Sequence, residues 1–134
     1  MENKPKPDYG PRDIEDDYFQ EIYDADRIWR QAQTGDPKAM YEMGKCFYYG
    51  TGRSENCRLA LQYLLKPAEE GNADAQFLVG RIYEDGEPVN ESEYQGVTKD
   101  LDKAAEWLAK AAEQGHERAR QGLERLRALR ANEN

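Results

Sequence analysis

The chain lacks the sequence features that identify membrane-spanning proteins and most enzymes. No apolar run among its 134 residues approaches the length of about 18 that a membrane-spanning helix needs. Residues 1–8 contain no apolar segment of the kind found in secretory signals, and because the chain starts with Met1 we expect a cytoplasmic protein without a cleaved leader. The sequence has no glycine-rich phosphate loop, no His-Glu-x-x-His motif and no paired-thiol motif. We therefore predict no enzymatic activity, no catalytic residue and no cofactor.

Cysteine and histidine are also scarce. Cys46 and Cys57 are the two cysteines, and His116 is the single histidine. Two thiols without nearby histidines make a poor zinc site, so no metal is predicted. We expect both cysteines to be reduced core residues of a cytosolic chain. We expect His116 to be an exposed residue in the first turn of the last helix.

Basic residues are fewer than acidic ones. The chain has 27 acidic and 19 Lys or Arg residues and a formal net charge of −8. Such a chain repels nucleic acid and anionic membranes, so neither is expected as a partner. Residues 13–26 alone contain seven acids and no bases.

What the sequence does contain is an internal repeat. Residues 35–50 and 71–86 share glycines at offsets 0, 9 and 15, alanine at offset 4, aromatic residues at offsets 6 and 12, and apolar residues at offsets 8 and 11. A fixed period of this length is typical of helical repeat arrays. The recurring glycines are Gly35, Gly44, Gly50, Gly71, Gly80 and Gly86. Glycine in the middle of a helix costs stability, so its recurrence at offset 9 predicts close approach of the partner helix.

Capping residues and apolar periodicity predict six helices, and the fold class is therefore all-α. A proline-rich arm, residues 1–12, is expected to be flexible. The helices are predicted at about 13–33, 37–49, 55–70, 73–85, 101–114 and 117–131. Residues 87–95 form a polar insertion in the loop after the fourth helix, because Ala60 and Ala104 are 44 residues apart where the period is 36. Five arginines in the last helix predict a solvated cap.

The second repeat carries a resemblance to a known family. Its residues Ala75-x-Phe77-x-Val79-Gly80-x-Ile82-Tyr83-x-x-Gly86, followed by Asp100-x-x-Lys103-Ala104-x-x-Trp107, resemble the Sel-one-like repeat family, a relative of the tetratricopeptide repeats. The resemblance implies a right-handed α/α superhelical solenoid. It consists of about two repeats, 36–71 and 72–115, between an N-terminal capping helix and a C-terminal half-repeat helix. The repeat domain would span 13–131, with the first helix of each pair lining a concave side.

This fold favours a non-catalytic protein–protein interaction module that grips a segment of another protein or a peptide in its concave groove. Offset 10 carries a basic ladder of Lys45, Arg81 and Arg125, which is suited to holding carboxylates. The alternative is that each cation pairs with a neighbouring helix acid such as Glu42 or Glu84. Further candidate contacts are Tyr48 and Glu84, with Glu91, Glu93 and Tyr94 as a loop rim. We also expect the offsets that the repeat leaves free to set specificity; these are Gln76, Leu78, Arg81, Glu84 and Asp85.

Two other functions remain open from the sequence. The acidic first helix and loop suit a dedicated inhibitor or immunity protein that neutralises a basic partner by electrostatic steering. The acidic first helix and the Arg-rich last helix are also complementary, which would permit head-to-tail self-association.

Overall fold

A computed structural model describes residues 27–50, 55–86 and 96–133, and every regular element in these ranges is a helix. Residues 27–33 form a helix, which we call α1. The other helices are α2 (Pro37–Tyr49), α3 (Cys57–Glu69), α4 (Ala73–Asp85), α5 (Leu101–Glu113) and α6 (Glu117–Glu133). The predicted arm 1–12, the acidic residues 13–26 and the insertion 87–95 lie outside the described residues. The interpretation of 13–131 as one domain therefore stays a prediction.

Side-chain caps fix where the helices begin. Asp36, Asn56, Asn72 and Asp100 precede α2 to α5, and each side chain accepts a hydrogen bond from a backbone N–H of the first turn at 3.0 to 3.1 Å. The prediction that the third helix begins at about Glu55 is wrong by two residues, because the cap is Asn56 and the helix starts at Cys57. Gly71 and Gly115, with φ of +105° and +89°, turn the chain after α3 and α5.

The mid-helix glycines let the paired helices touch. A Cβ on Gly44 would lie 2.5 Å from Leu64 Cγ, and a Cβ on Gly80 would lie 2.8 Å from Leu108 Cγ. Real Cβ atoms do not come this close to a neighbour, so only glycine fits at offset 9. The predicted close approach is confirmed in both repeats. α2 thus packs on α3, and α4 on α5, with the same contact.

The insertion at 87–95 leaves unchanged the hydrogen bond that joins the two helices of each repeat. The Asn56 backbone N–H donates to the Phe47 carbonyl at 2.8 Å, and the Asp100 N–H donates to the Tyr83 carbonyl at 2.9 Å. These four residues occupy matching positions in the two repeats. The extra eight residues therefore leave the helix-to-helix geometry of the second pair intact.

At repeat offsets 4, 8 and 11 the residues are buried with one exception. Offsets 4 and 8 are buried in all three copies; these residues are Ala39, Ala75, Ala119, Met43, Val79 and Leu123. At offset 11, Ile82 and Leu126 are buried, whereas Cys46 is only half-buried. The prediction that Cys46 is a core residue is therefore wrong. Ile82 lies on α4, which packs between α3 and α5. Cys46 lies on α2, and before α2 only residues 27–33 are described. Cys57 does pack against the core.

α4 is the central helix, and it is buried from Ala75 to Gly80 without interruption. Gln76 and Leu78 are only 5% and 4% exposed, which corrects the expectation that both are free to set specificity. Helices pack on both sides of α4, so positions that a surface helix would leave to solvent are covered. The Gln76 amide is satisfied there: its Nε2 donates to the Ala68 carbonyl and its Oε1 accepts from Gln114 Nε2, both at 3.0 Å.

α6 is more than a solvated cap. Arg125 pairs with Glu84 of α4, and Arg130 Nη1 lies 2.7 Å from Asp102 Oδ1 of α5. All five arginines of α6 are exposed, as the solvated cap predicts, and two of them also pair with acids of other helices. Acids on the neighbouring helices reach them, although both arginine side chains remain about half exposed.

Candidate functional site

The three basic residues at offset 10 all have acidic neighbours. Lys45 Nζ lies 3.3 Å from Glu42 Oε1 on the same helix. Arg81 Nε lies 3.8 Å from Glu84 Oε1, and Arg125 Nη2 donates to both oxygens of Glu84 at 2.9 and 2.7 Å. Pairing with helix acids, the alternative to a carboxylate-binding ladder, therefore describes the geometry of all three cations.

Glu84 is the centre of this charged cluster. Its side chain is 12% exposed, and it also accepts from Arg125 Nε at 3.2 Å. A bidentate pair between α4 and α6 fixes the last helix on the repeat stack. Arg81 Nε is buried and has no hydrogen-bond partner among the described residues. The structure thus brings Arg81, Glu84 and Arg125 together, with Arg125 joining α6 to α4, and it leaves Lys45 apart from them.

A groove opens where the first helices of the repeats share a face. A cavity of about 210 Å³ is lined by residues of α2, α4 and the start of α6. We call this the α2–α4–α6 groove; its residues are Tyr41, Lys45, Tyr49, Asp74, Phe77, Leu78, His116 and Arg118. Of the residues predicted from the sequence to contact a partner or set specificity, Lys45 and the largely buried Leu78 line it. Aromatic side chains and cations therefore face the same space.

The α2 wall of the groove carries Tyr41, Lys45 and Tyr49 at steps of four residues, which places them on one helix face. Lys45 Nζ lies 4.6 Å from the centre of the Tyr41 ring. Burial, and then the nearby carboxylates of Asp74 and Glu42, raise the pKa of the Tyr41 phenol to about 12. This hydroxyl therefore stays protonated and is able to donate a hydrogen bond. The Tyr49 side chain is 57% exposed.

Phe77 forms the floor of the groove and is surrounded by cationic or imidazole groups. The His116 ring stacks on it with centroids 4.7 Å apart, and the guanidinium carbon of Arg118 lies 4.8 Å from its centroid. Arg81 is at 5.8 Å. Such positions over a ring face are favourable for cations. Arg118 is thereby held beside the cavity, and no carboxylate of the described chain lies within ion-pairing distance of it.

His116 caps the last helix instead of standing exposed in its first turn, so that prediction is wrong. Its Nδ1 accepts from the Ala119 backbone N–H at 3.1 Å, and its Nε2 lies 2.9 Å from Asp74 Oδ1. Because Nδ1 is an acceptor, the proton sits on Nε2, which donates to Asp74. The repeat contained the signal: His116 is at offset 1, the same offset as the caps Asp36 and Asn72.

We expect His116→Ala to lower the free energy of unfolding by about 1 kcal/mol, as loss of a helix cap does. His116→Asn should recover much of that loss, because an asparagine side chain also accepts from the Ala119 N–H. Urea denaturation followed by circular dichroism measures both. Equal losses in the two variants would mean that the ring contacts with Phe77 and Asp74 matter and the cap does not.

Tyr48 lies at a second cavity, of about 340 Å³, on the loop side of the helix pairs. Its ring packs edge-on against Tyr49, with centroids 4.8 Å apart, and burial raises the pKa of its phenol. Glu55 and Gly86 also line this cavity, and they adjoin segments 51–54 and 87–95, which are not described. The predicted rim residues lie in the second segment, outside the described residues; they are Glu91, Glu93 and Tyr94.

Metal-binding and membrane-spanning features are missing from the described part of the chain. In residues 27–50, 55–86 and 96–133 no group of three or more His, Cys, Asp or Glu side chains is arranged to hold a metal ion. Among those same residues no helix is both long and apolar enough to cross a membrane.

Stacked helix pairs with a glycine contact in each pair define an α/α solenoid repeat protein. The Sel1 repeat family model matches residues 37–72 and 73–116, which together make up more than half of the chain. The chain belongs to the Sel1 repeat family. Its all-α fold of about two repeats agrees with this membership. Proteins of this family are generally protein-interaction modules and are typically non-catalytic.

Solved structures show the same fold. One is c5321, a protective antigen present in uropathogenic Escherichia coli strains that displays an SLR fold; it is 27% identical, with a TM-score of 0.68 over 79% of this chain. Another is a Sel1 repeat protein from Oxalobacter formigenes, 33% identical, with a TM-score of 0.65 over 78% of this chain. This chain spans 21% and 28% of the lengths of those two proteins. No curated protein matches the chain.

Proposed function

We propose that this protein is a non-catalytic interaction module that binds a segment of a partner protein in the α2–α4–α6 groove. The observation that carries the proposal is the composition of that groove. Side chains from three helices that are separate in sequence line one open cavity of about 210 Å³. Aromatic groups supply contact area there, and cations supply directed hydrogen bonds, which are the residue types that contribute most at protein interfaces.

Within the predicted ladder, we propose different roles for the three cations. Lys45 lines the groove, and its ion pair with Glu42 joins side chains that are 35% and 46% exposed. Such a surface pair contributes little, about 0.3 to 0.5 kcal/mol, so a partner carboxylate can replace Glu42 at small cost. Arg81 and Arg125 are engaged with Glu84. In this proposal Arg125 holds α6 against α4 beside the groove, and Arg81 stays paired within α4.

Site-specific photo-crosslinking tests the location. A photoreactive phenylalanine at Tyr49, inside the groove, should form an adduct with a partner in lysate of the native cell. The same group at Glu106, an exposed position on α5, should not. We expect Lys45→Glu to reduce the Tyr49 adduct about tenfold, because one charge-assisted hydrogen bond is lost and a like charge is introduced.

The matched control is Lys110→Glu, which makes the same charge change on the exposed face of α5. It should leave the Tyr49 adduct unchanged. An adduct that forms at Glu106 and not at Tyr49 would show that the partner binds another face, and the groove would then have no part in binding.

The alternative function, an inhibitor or immunity protein that acts through an acidic surface, depends on residues 13–26 and 87–95. These lie outside the described residues, so the alternative stays a prediction. An association rate that does not change with ionic strength would count against it. Head-to-tail self-association involves residues 13–26 as well and also stays a prediction.

A further inference from the structure

We infer that the partner segment presents an acidic side chain next to an aromatic or large aliphatic one, and that Arg118 is the residue that receives the carboxylate. This inference rests on the proposed function and specifies its ligand. It is an assignment that the basic ladder did not include, because Arg118 is at offset 3 of its repeat and the ladder is at offset 10.

The size of the cavity favours a single side chain. At about 210 Å³ it is smaller than the roughly 300 to 1,000 Å³ of pockets that enclose a drug-sized molecule. It has room for one large side chain of a peptide whose backbone runs outside. The surfaces that such a side chain meets are the rings of Tyr41, Tyr49 and Phe77. Aromatic and large aliphatic side chains are the ones that gain most from contact with rings.

The charged groups of the groove favour a negatively charged ligand. The guanidinium carbon of Arg118 lies over the Phe77 ring, 4.8 Å from its centre, and a ring face accepts no hydrogen bond comparable to one from a carboxylate, so the guanidinium N–H groups remain able to donate. Arginine in such a setting binds a carboxylate through two parallel hydrogen bonds. Among the described residues that line the groove, the one acid is Asp74, and its Oδ1 already accepts from His116 Nε2. No carboxylate of the described groove therefore competes strongly with a partner carboxylate for binding to Arg118.

The α2 wall supports the same sign of charge. Lys45 of α2 lines the same cavity as Arg118, and the protonated Tyr41 hydroxyl provides another donor. Because Lys45 and Arg118 line one cavity, an extended segment in the groove meets a cation from α2 and another from α6. We therefore assign the carboxylate to an Asp or Glu side chain within a segment, and we do not assign it to the end of a chain.

Peptide selection tests this ligand chemistry directly. A random linear heptapeptide phage library is panned against the immobilised full chain, with counter-selection against the Arg118→Gln chain. We expect enrichment of peptides that hold Asp or Glu within two positions of Phe, Tyr, Trp or Leu. A synthetic selected peptide, with both ends blocked, is then measured by fluorescence anisotropy. Arg118→Gln should weaken its binding about ten- to a hundredfold, the range expected for a lost hydrogen bond to a charged group.

Controls separate this role from a structural one. Arg127→Gln removes an exposed arginine from the same helix outside the groove and should leave binding unchanged. The thermal midpoint of Arg118→Gln should match that of the unaltered chain. Replacing the acid of the peptide by its amide should cost as much as Arg118→Gln, and the two changes together should cost little more than either alone.

Three results would overturn the inference: no enrichment, enrichment of basic or uncharged peptides, or acidic peptides that bind Arg118→Gln as well as the unaltered chain. The proposed function has a separate test. If selected peptides are not acidic but still compete with the Tyr49 crosslink, the groove binds a partner and only the ligand assignment fails. If the crosslink forms on another face, the groove itself is ruled out as the binding site.

Discussion

Gly80→Ala should destabilise the protein by about 2 kcal/mol, although alanine is the better helix former. The gain in helix propensity is about 1 kcal/mol, and overpacking at a contact this close costs about 3 kcal/mol, the upper end of the usual range. The added Cβ would lie 2.8 Å from both Cγ and Cδ2 of Leu108 and 3.3 Å from the Ala104 carbonyl. Leu108 is fully buried and so cannot move aside freely. Chemical denaturation measures the change in the free energy of unfolding.

Two further variants make this prediction specific. Gly122→Ala points its Cβ at the same leucine from α6, but at 3.3 Å from Cδ1, where a small shift suffices. It should change stability by less than about 1 kcal/mol, since the propensity gain offsets mild strain. Leu108→Ala alone should cost about 2 to 5 kcal/mol. The double variant Gly80→Ala, Leu108→Ala should lose clearly less stability than the sum of the two single variants. In the double variant the leucine side chain that the added Cβ would overlap is absent. A Gly80→Ala chain more stable than the original would contradict the close approach.

Gln76→Glu should strongly destabilise the protein at neutral pH, although it replaces only the amide NH₂ group by an oxygen. Gln76 Nε2 donates to the Ala68 carbonyl in the buried centre of the stack. A carboxylate oxygen in that place faces another oxygen and cannot donate. Burial and this repulsion should raise the pKa of the introduced carboxyl by about 3 pH units, which corresponds to about 4 kcal/mol lost at pH 7.

The loss should depend on pH in one direction. The pKa of the introduced carboxyl in the folded state lies above its unfolded value of about 4.3, so the carboxyl is neutral in both states below that pH. A neutral carboxyl donates to the Ala68 carbonyl much as the amide does. The difference from the unaltered chain should therefore be small near pH 4. It should grow by about 1.4 kcal/mol per pH unit above that until the folded pKa is reached.

Gln33→Glu is the matched control for this substitution. Gln33 Nε2 donates to the Tyr63 hydroxyl at 2.9 Å in an exposed position. That hydroxyl is able to donate to a carboxylate instead, so stability should change by less than about 0.5 kcal/mol at every pH. A Gln76→Glu chain as stable at pH 7 as at pH 4, relative to the original, would show that the site is hydrated.

The scaffold was largely predictable from sequence because each of its features is local or periodic. Asp36-Pro37 predicts a helix start from two residues, and the structure has it there. The offset-9 glycines predict a close contact because their cost is repeated, and Leu64 and Leu108 are the partners. Where a boundary was wrong, as at Cys57, the competing signal was also local: the Asn56 cap moves the helix start two residues beyond the predicted one.

The candidate site was less predictable because its members are distant in sequence. A basic ladder at one offset is visible in the chain, but whether a cation is available depends on its neighbours. Arg125 pairs with Glu84, which is 41 residues away in sequence. Arg118 lies over the Phe77 ring and pairs with no acid of the described chain. Offset 3 holds Lys38, Asp74 and Arg118, a set with no common chemistry, so the repeat gave no reason to select Arg118.

The sequence by itself determined the family, the helix pairs and the buried offsets, because a repeat period sets which faces of successive helices meet. Tertiary structure alone decided which polar side chains are free. Gln76 is buried because α4 is covered on both sides. His116 caps α6, and its Nε2 contacts Asp74 in the first turn of α4. The reason is physical: burial and ion pairing depend on distances between helices, and those distances follow from packing of the whole stack and not from spacing along the chain.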